Sequence, residues 1–251
     1  MFNEKAYSLG ANRSVIRELF EYGRKRTAEV GSENVFDFSL GNPSIPAPPQ
    51  VEAAIREALA TMPSLALHGY TTAAGDVAAR QAIADDLNAR FGTDITPGEL
   101  FLGCGAAPEL VAVLSALAVM AAPGDEILVH APTYIGFTRA LTNAGYRIVH
   151  SPLKKDETGV WRMDYADMDR KLKKHRIHAA ILCSPHNPCG RVWERWEIEQ
   201  AMALYKKYDV MVVSDEIWSD ILLTGYCHIP TQSVSEDAKM RTVALYAPSK
   251  T

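Results

Sequence analysis

The sequence lacks any long apolar run and any excess of charge of one sign. Its longest apolar stretch, from Leu110 to Ala122, is interrupted by Ser115 and is too short to span a bilayer. The first residues carry charge early and lack the apolar core of a secretory signal. Acids and bases are mixed along the chain and sum to a formal charge of -4, which leaves no broad basic face for a nucleic-acid backbone. These absences predict a cytoplasmic protein that works on small molecules and binds neither membranes nor nucleic acids.

Cysteine is also scarce, with four residues in a chain of 251. Cys104, Cys183, Cys189 and Cys227 form no CxxC pair and no spacing typical of zinc ligands. We therefore expect no metal site and interpret these cysteines as reduced thiols, with disulfides as the alternative.

The apolar content is ample for a core, and its pattern indicates the fold class. The chain is 47% hydrophobic and 22% charged, as expected for a globular protein. Beyond Gln50, helices are predicted near 50–61, 76–91, 108–120, 135–144, 165–175 and 194–208, and strands at 126–130, 146–152, 178–183, 210–214 and 242–247. The strands are continuous runs rich in Val, Ile and Leu, a pattern typical of a mostly parallel sheet with helices on both faces. The predicted class is α/β.

The segment before Gln50 is predicted to be an N-terminal arm. It contains one expected helix, Val15 to Glu29, with Ser14 as its N-cap. The prolines and glycine of "GNPSIPAPPQ" at 41–50 then enforce an irregular extended segment. We predict a domain boundary there, with residues 51–251 forming the main domain.

The first of four candidate ligand-binding segments is the glycine-containing turn "LGCGAAPEL". Gly103, Gly105, Ala106 and Ala107 stand just before a predicted helix. Small residues let backbone N–H groups approach an anion, and the helix N-terminus adds partial positive charge, so this turn suits a phosphate. The alternative is a plain tight turn, because the pattern matches neither GxGxxG nor the P-loop.

The second candidate segment, the turn "SPHNPCG", follows the strand that ends at Cys183. Two X-Pro bonds, Ser184–Pro185 and Asn187–Pro188, can adopt the cis form, and a rigid turn of this kind would hold the Asn187 amide in one direction. The alternative is an ordinary asparagine in a proline turn.

The third strand end presents two adjacent carboxylates. Asp215 and Glu216 follow the apolar run "VMVVS". Carboxylates at the mouth of a buried strand are costly to desolvate, so we expect at least one to meet a positive partner. The alternative is that Asp215 is the N-cap of a following helix.

The fourth strand end, "ALYAPSKT", offers Lys250. An amine at the edge of an apolar site can act as nucleophile or base, whereas most lysines simply lie on the surface. A phosphate cradle, an oriented amide, a carboxylate and an amine at the strand ends of one sheet together match a single ligand, pyridoxal phosphate.

At this point the sequence resembles the fold type I pyridoxal-phosphate enzymes of the aspartate aminotransferase superfamily, which includes the class I and II aminotransferases. The resemblance runs from about Phe36 to Thr251. It rests on these motifs in the family's order: "SLGNPSIPAP", "HGYTTAAG", "CGAAPEL", "APTY", "SPHNPCG", "SDEIW" and "APSKT". It implies that residues 51–251 are the cofactor-binding large domain and that 1–50 include part of a small domain.

The resemblance also implies a role for each matching residue. Lys250 would form an aldimine with the cofactor and act in catalysis with Asp215, which would pair with the pyridine nitrogen. The other implied cofactor contacts are Asn187 to the phenolic oxygen, Tyr134 on the ring, and Gly105, Ala106, Ala107 and Ser249 at the phosphate. Tyr70 would reach the phosphate of the neighbouring subunit of a homodimer, and Gly41 and Asn187 would border the substrate. Trp218 stands where many aminotransferases have a tyrosine that donates to the phenolic oxygen.

The two halves of the chain resemble different branches of this superfamily. The N-terminal half is similar to amino-acid aminotransferases, whereas the part from Thr133 onward is similar to MalY/PatB-type cystathionine β-lyases. The resemblance thus implies an aminotransferase acting on an α-amino acid, with a carbon-sulfur β-lyase as the alternative. Family members continue well beyond the lysine, so a truncated large domain without turnover is a third interpretation. A dinucleotide site is disfavoured because "GCGAAPE" lacks the third glycine.

Overall fold

The computed structural model describes residues 3–11, 14–41, 45–121 and 125–250. The chain divides into two compact units, Met1–His68 and Gly69–Thr251. Residues 42–44 of the expected extended segment lie outside the described residues. A domain boundary near residue 50 stays a prediction.

The first unit is helical. Its α-helices are α1 (Glu4–Ala11), α2 (Val15–Val30), α3 (Pro49–Thr61) and α4 (Ser64–His68), with a 3₁₀ turn at Ser32–Asn34. The predicted N-cap of α2 is confirmed, because the Ser14 side chain accepts a hydrogen bond from Arg17 N at 3.3 Å. None of the described residues of α2, α3 or α4 is buried, and the apolar side chains of Val51, Ile55 and Leu59 on α3 are exposed. The described part of this unit therefore has no hydrophobic core of its own.

The second unit alternates helices and strands. Its helices are α5 (Val77–Phe91), α6 (Ala106–Met120), α7 (Ile135–Asn143), α8 (Tyr165–Lys174), α9 (Arg195–Lys207) and α10 (Glu236–Arg241). Its strands are β1 (Glu126–Ala131), β2 (Arg147–Pro152), β3 (Lys154–Lys155), β4 (Trp161–Arg162), β5 (Ile177–Cys183), β6 (Met211–Asp215) and β7 (Thr242–Leu245). Local signals set several boundaries: α5 begins after Asp76, which caps Ala79 N, and ends at Gly92 in the left-handed conformation.

Five strands form one parallel sheet in the order β2-β1-β5-β6-β7, and β3 and β4 form a separate antiparallel hairpin. One face of the sheet packs on α8, α9 and α10 around Leu128 and Leu182, and the other packs on α6 and α7 around Val129 and Ile181. Alternate residues of each strand thus enter different cores, which explains why the strands are apolar throughout. The predicted α/β class with helices on both faces is confirmed.

The structure departs from the sequence-based expectations at a few places. Helix α6 begins at Ala106, two residues before the predicted start, so Pro108 lies in its first turn, where a proline is tolerated. Residues 217–220 form a turn and not a helix, so the alternative that Asp215 is a helix N-cap is wrong. Helices α1, α4 and α10 and the β3–β4 hairpin are short and were not predicted.

All four cysteines are free thiols, as expected. Across the described ranges, every helix is too short or too polar to cross a bilayer.

Candidate active site

Three neighbouring strands end together at the carboxyl edge of the sheet. The register places Cys183 of β5 beside Asp215 of β6, and Asp215 beside Leu245 of β7. The pairing continues past the strands, because Ser184 N donates to Asp215 O at 2.9 Å and Glu216 N donates to Leu245 O at 3.0 Å. The segments that carry Asn187, Trp218 and Lys250 therefore leave the same edge, which is where ligands bind in open α/β sheets.

Asp215 is a buried carboxyl group, 9% exposed, with one hydrogen bond: Ile217 N donates to its Oδ1 at 3.1 Å. Within the described residues it forms no ion pair. Burial raises the pKa of Asp215 to about 6, against the opposing effect of the Ile217 hydrogen bond and with a further contribution from the charge of Glu216. The site therefore offers a desolvated carboxyl group that a cationic ligand atom would stabilise.

Glu216 is the carboxylate with several hydrogen-bonding partners. It is fully buried, and His228 Nε2 lies 2.7 Å from its Oε2 while Thr231 N donates to its Oε1 at 2.9 Å. Burial acts to raise the pKa of Glu216, but the hydrogen bonds, that with His228 foremost, outweigh it and hold the pKa below its ordinary value. The two adjacent acids thus differ in their environment: Glu216 has hydrogen-bonding partners for both of its oxygens, whereas Asp215 accepts one hydrogen bond.

Lys250 lies in a 3₁₀ turn, Pro248–Lys250, and is half-buried. Its Nζ is 4.6 Å from the centroid of the Trp218 ring, a cation–π contact. No carboxylate of the described chain lies within ion-pair distance of this amine. Since Trp218 is three residues beyond Asp215, the lysine lies beside the turn that follows the buried acid.

The glycine turn before α6 leaves the helix N-terminus without a side-chain cap, and the Glu109 carboxylate lies against Gly103 of the same turn. Gly105 is the N-cap residue with φ of +109°, a conformation that favours glycine, and no side-chain hydrogen bond caps the helix. An added Cβ there would have no heavy atom within 4 Å. The N–H groups of the first turn, beginning with half-buried Ala106 and exposed Ala107, lack intrahelical acceptors and form the positive end of a 15-residue helix.

The Asn187 loop is closed by backbone hydrogen bonds. His186 N donates to Arg191 O, and Gly190 N donates to His186 O, each at 2.7 Å. The Ser184–Pro185 and Asn187–Pro188 bonds are both cis. Asn187 is half-buried, and its side-chain amide makes no hydrogen bond to another described residue. The amide is thus free for a ligand.

Tyr134 follows β1, after a cis Ala131–Pro132 bond, and is 41% exposed. It makes an edge contact with Phe137, with ring centroids 5.5 Å apart. Gly136, which sequence reasoning missed, provides the space for this ring, because a Cβ there would lie 2.2 Å from Tyr134 Cε1. Its signal was a glycine at the start of a helix.

The remaining predicted site residues make no described contact with Asp215 or Lys250. Ser249 is exposed, and the side chain of Tyr70 is fully exposed at the start of the second unit. Gly41 belongs to the first unit and is exposed. The structure therefore brings together Trp218, three residues beyond Asp215, and Lys250, and the role of each predicted site residue stays a prediction.

Sequence reasoning also missed two buried histidines, His130 on β1 and His186 next to Asn187. His130 ends the apolar run of β1, and its Nε2 lies 3.0 Å from Tyr205 Oη. His186 packs edge-on against Trp193, with ring centroids 5.8 Å apart. Burial lowers the pKa of His130 to about 3, with His186 contributing, and lowers that of His186 to about 4. Both imidazoles are therefore neutral at pH 7, and each leaves Nδ1 without a partner among the described residues.

The buried histidines are expected to make the protein acid-sensitive. Their folded-state pKa values lie below the ordinary value of 6.5, so the unfolded chain binds more protons as the pH falls from 6.5 towards 4. Each histidine then removes up to about 1.4 kcal/mol of unfolding free energy per pH unit. His130→Gln should reduce this slope by about one proton in urea unfolding between pH 6.5 and 4.5. His150→Gln, in an exposed position on β2, should keep the wild-type slope. An unchanged slope in H130Q would contradict the assignment.

Comparison with known proteins adds the family. Cystathionine beta-lyase PatB of Bacillus subtilis is 35% identical over 199 residues, covering 79% of this chain and 50% of that protein. An amino transferase from Eubacterium rectale has a solved structure that is 36% identical, with a TM-score of 0.89 over 100% of this chain and 62% of that chain. Cystalysin from Treponema denticola, whose structure contains a pyridoxal 5'-phosphate cofactor, is 28% identical with a TM-score of 0.77, covering 92% of this chain and 56% of that chain.

The chain spans about half the length of the curated relatives it matches. The model of the family described as aminotransferase class I and II matches residues 33–251, most of the chain. The overall fold agrees with that match, since the solved aminotransferase structure superimposes with a TM-score of 0.89. The chain therefore belongs to the class I and II aminotransferase family.

Proposed function

We propose that this chain is the cofactor-binding part of a pyridoxal-phosphate-dependent aminotransferase acting on an α-amino acid. The observation that carries the proposal is a buried acid and an amine that follow neighbouring strands at one edge of the sheet. Asp215 is desolvated without a cationic partner among the described residues, and Lys250 lies over Trp218 in the adjoining turn. The family and the aminotransferase from Eubacterium rectale support the reaction class.

The residues present fit pyridoxal phosphate. The buried Asp215 suits a protonated ring nitrogen, the open Gly105 turn suits the phosphate, and the unpaired Asn187 amide suits the phenolic oxygen. The residues proposed to hold the cofactor are Gly105, Ala106, Ala107, Tyr134, Asn187, Asp215, Trp218, Ser249 and Lys250, with Tyr70 from the partner subunit of a homodimer. Gly41 and Asn187 are proposed to border the substrate.

The chemistry is divided between the cofactor and the protein. Bound pyridoxal phosphate supplies an electron sink for the negative charge that develops at the substrate Cα. Lys250 would hold the cofactor through Nζ until the substrate amine displaces it, and the released amine would then take the proton from Cα as general base. The Asp215 carboxylate keeps a proton on the ring nitrogen, because a buried anion strongly favours a cation beside it.

A carbon-sulfur β-lyase is the second candidate. It is favoured by the 35% identity to cystathionine beta-lyase PatB over 79% of the chain. The roles of Lys250 and Asp215 are the same up to removal of the Cα proton, after which a thiolate leaves from Cβ. The two candidates therefore differ in products and not in the residues that start the reaction.

The test is to add pyridoxal phosphate to the purified chain, follow its absorbance, reduce with borohydride and map the labelled peptide. The proposal expects label on Lys250. Incubation with cystathionine then separates the candidates: pyruvate, ammonia and a thiol indicate a lyase, whereas a keto acid with stoichiometric pyridoxamine phosphate indicates an aminotransferase. A labelled Lys250 without products indicates a cofactor-binding part that needs the rest of a longer protein. Label on other lysines alone would refute the cofactor site.

A further inference from the structure

Glu216 is the centre of a buried polar cluster behind the proposed cofactor site. The cluster consists of Glu216, Ser214, His228, Thr231 and Tyr246. Ser214 Oγ and Thr231 N donate to Oε1 at 2.8 and 2.9 Å, His228 Nε2 lies 2.7 Å from Oε2, and Tyr246 Oη donates to Oε2. Ser214 Oγ and Thr231 Oγ1 are also 2.8 Å apart. Both oxygens of a fully buried carboxylate are thus satisfied by three separate segments.

The cluster joins the two strand ends that carry the proposed catalytic groups. Glu216 directly follows Asp215, and Tyr246 precedes Lys250 by four residues. Besides the Tyr246 side-chain link, Glu216 N donates to Leu245 O at 3.0 Å. Strand β7 pairs only with β6 in the described sheet, so its far end has no second strand to align it. The Tyr246–Glu216 hydrogen bond therefore adds a side-chain link, beyond the last β6–β7 pair, between the path to Lys250 and the residue that follows Asp215.

A buried carboxylate is less favourable here than an apolar side chain of similar size, unless the position of the surrounding chain must be fixed. Burying the charge is unfavourable, and the hydrogen bonds offset this only while every donor is in place. Such a fully satisfied network has one arrangement, whereas apolar side chains of similar size could repack in several. The chain thus specifies the geometry of these strand ends by hydrogen bonds with fixed directions.

We propose that Glu216 is a positioning residue that, through Tyr246, holds Lys250 in the place where its amine can attach the cofactor bound to Asp215. The inference rests on the proposed function, since it takes Lys250 as the attachment point. The electrostatics agree with this geometry. Burial is the main cause of the raised pKa of Tyr246, and the Glu216 charge raises it further, so the tyrosine stays protonated and remains a donor.

The experiment compares Tyr246→Phe with a matched control, Tyr165→Phe. Tyr165 is also partly buried and donates to Glu197 O at 3.1 Å, but it lies on the α8 side of the sheet. Each variant is incubated with pyridoxal phosphate at a temperature where it is as folded as the wild type, and is then reduced and mapped. We expect Y246F to label Lys250 about tenfold more slowly, the loss that corresponds to one hydrogen bond to a charged group. Y165F should label it at the wild-type rate.

The share of label on Lys250 relative to other lysines is the decisive readout, because a general loss of stability would not change it at equal folded fraction. Glu216→Gln keeps the size of the side chain but replaces one acceptor oxygen with a donor, and should reproduce the Y246F result if Y246F folds poorly. Equal labelling of Lys250 in Y246F and Y165F, or wild-type labelling in E216Q, would overturn this inference but leave the proposed function standing. Absence of label on Lys250 in the wild type would overturn the proposed function and this inference with it.

Discussion

Replacing Lys250 with alanine is expected to abolish the borohydride-stable adduct with pyridoxal phosphate. The amine of Lys250 is half-buried over Trp218 and is paired with no carboxylate of the described chain, so it is available to react with an aldehyde. Loss of the general base should also slow removal of the Cα proton by about a hundredfold to ten-thousandfold. Peptide mapping after reduction measures the first effect. Exchange of the Cα hydrogen with deuterated solvent, followed by mass spectrometry, measures the second.

Lys207→Arg is the matched control for this variant. Lys207 is an exposed lysine of α9 whose Nζ lies 2.7 Å from Asp169 Oδ1 and over the Tyr208 ring, neither of which is a proposed site residue. The control should form the Lys250 adduct as the wild type does. Formation of the adduct at the wild-type rate in K250A would refute the assignment of Lys250.

Replacing Asp215 with asparagine is expected to stabilise the cofactor-free protein at neutral pH. Because the folded-state pKa of about 6 lies above the ordinary value of 3.8, Asp215 favours folding only when protonated. This benefit is complete below pH 3.8 and is lost as the pH rises through about 6. A shift of this size corresponds to roughly 3 kcal/mol, and we expect D215N to recover about 2 kcal/mol of unfolding free energy at pH 7. Urea unfolding at pH 4 and pH 7 should show the gain only at the higher pH.

The same substitution is expected to weaken cofactor binding. A buried carboxylate that pairs with a protonated ring nitrogen contributes about 3 kcal/mol, so the dissociation constant of pyridoxal phosphate should rise about a hundredfold. Titration followed by absorbance measures this constant. Asp86→Asn, which changes an exposed carboxylate of α5, should leave both the affinity and the stability near wild type. A D215N protein that is less stable than the wild type at pH 7 and binds the cofactor equally well would contradict the role of Asp215.

Much of the fold was predictable because its signals are local. The strands β1, β5 and β6 are short apolar runs, and Ser14 and Gly92 mark helix ends through their own side chain or backbone conformation. The two-residue strands β3 and β4 were missed because they have no local signal and form only by pairing with each other. Order along the chain also placed Asn187, Asp215 and Lys250 at strand ends, since parallel strands share one carboxyl edge.

The buried polar contacts were not predictable, because their partners come from distant parts of the chain. The partners of the Glu216 side chain include residues 12, 15 and 30 positions away, and His130 contacts Tyr205 across 75 positions. No periodicity or spacing marks such contacts. They depend on how the loops beyond β6 and β7 return to the sheet.

By itself, the sequence determined the α/β class, the strand ends where the chemistry lies, and the candidates Asp215, Asn187 and Lys250. Apolar periodicity and turn residues act over a few positions and can be read directly. Only the tertiary structure showed what each of the adjacent acids Asp215 and Glu216 contacts. Desolvation and hydrogen-bond donors set the pKa of a carboxyl group, and both depend on residues brought close by folding. The Glu216 side chain has four hydrogen-bonding partners, whereas the Asp215 side chain accepts one hydrogen bond and has an oxygen available for a cation.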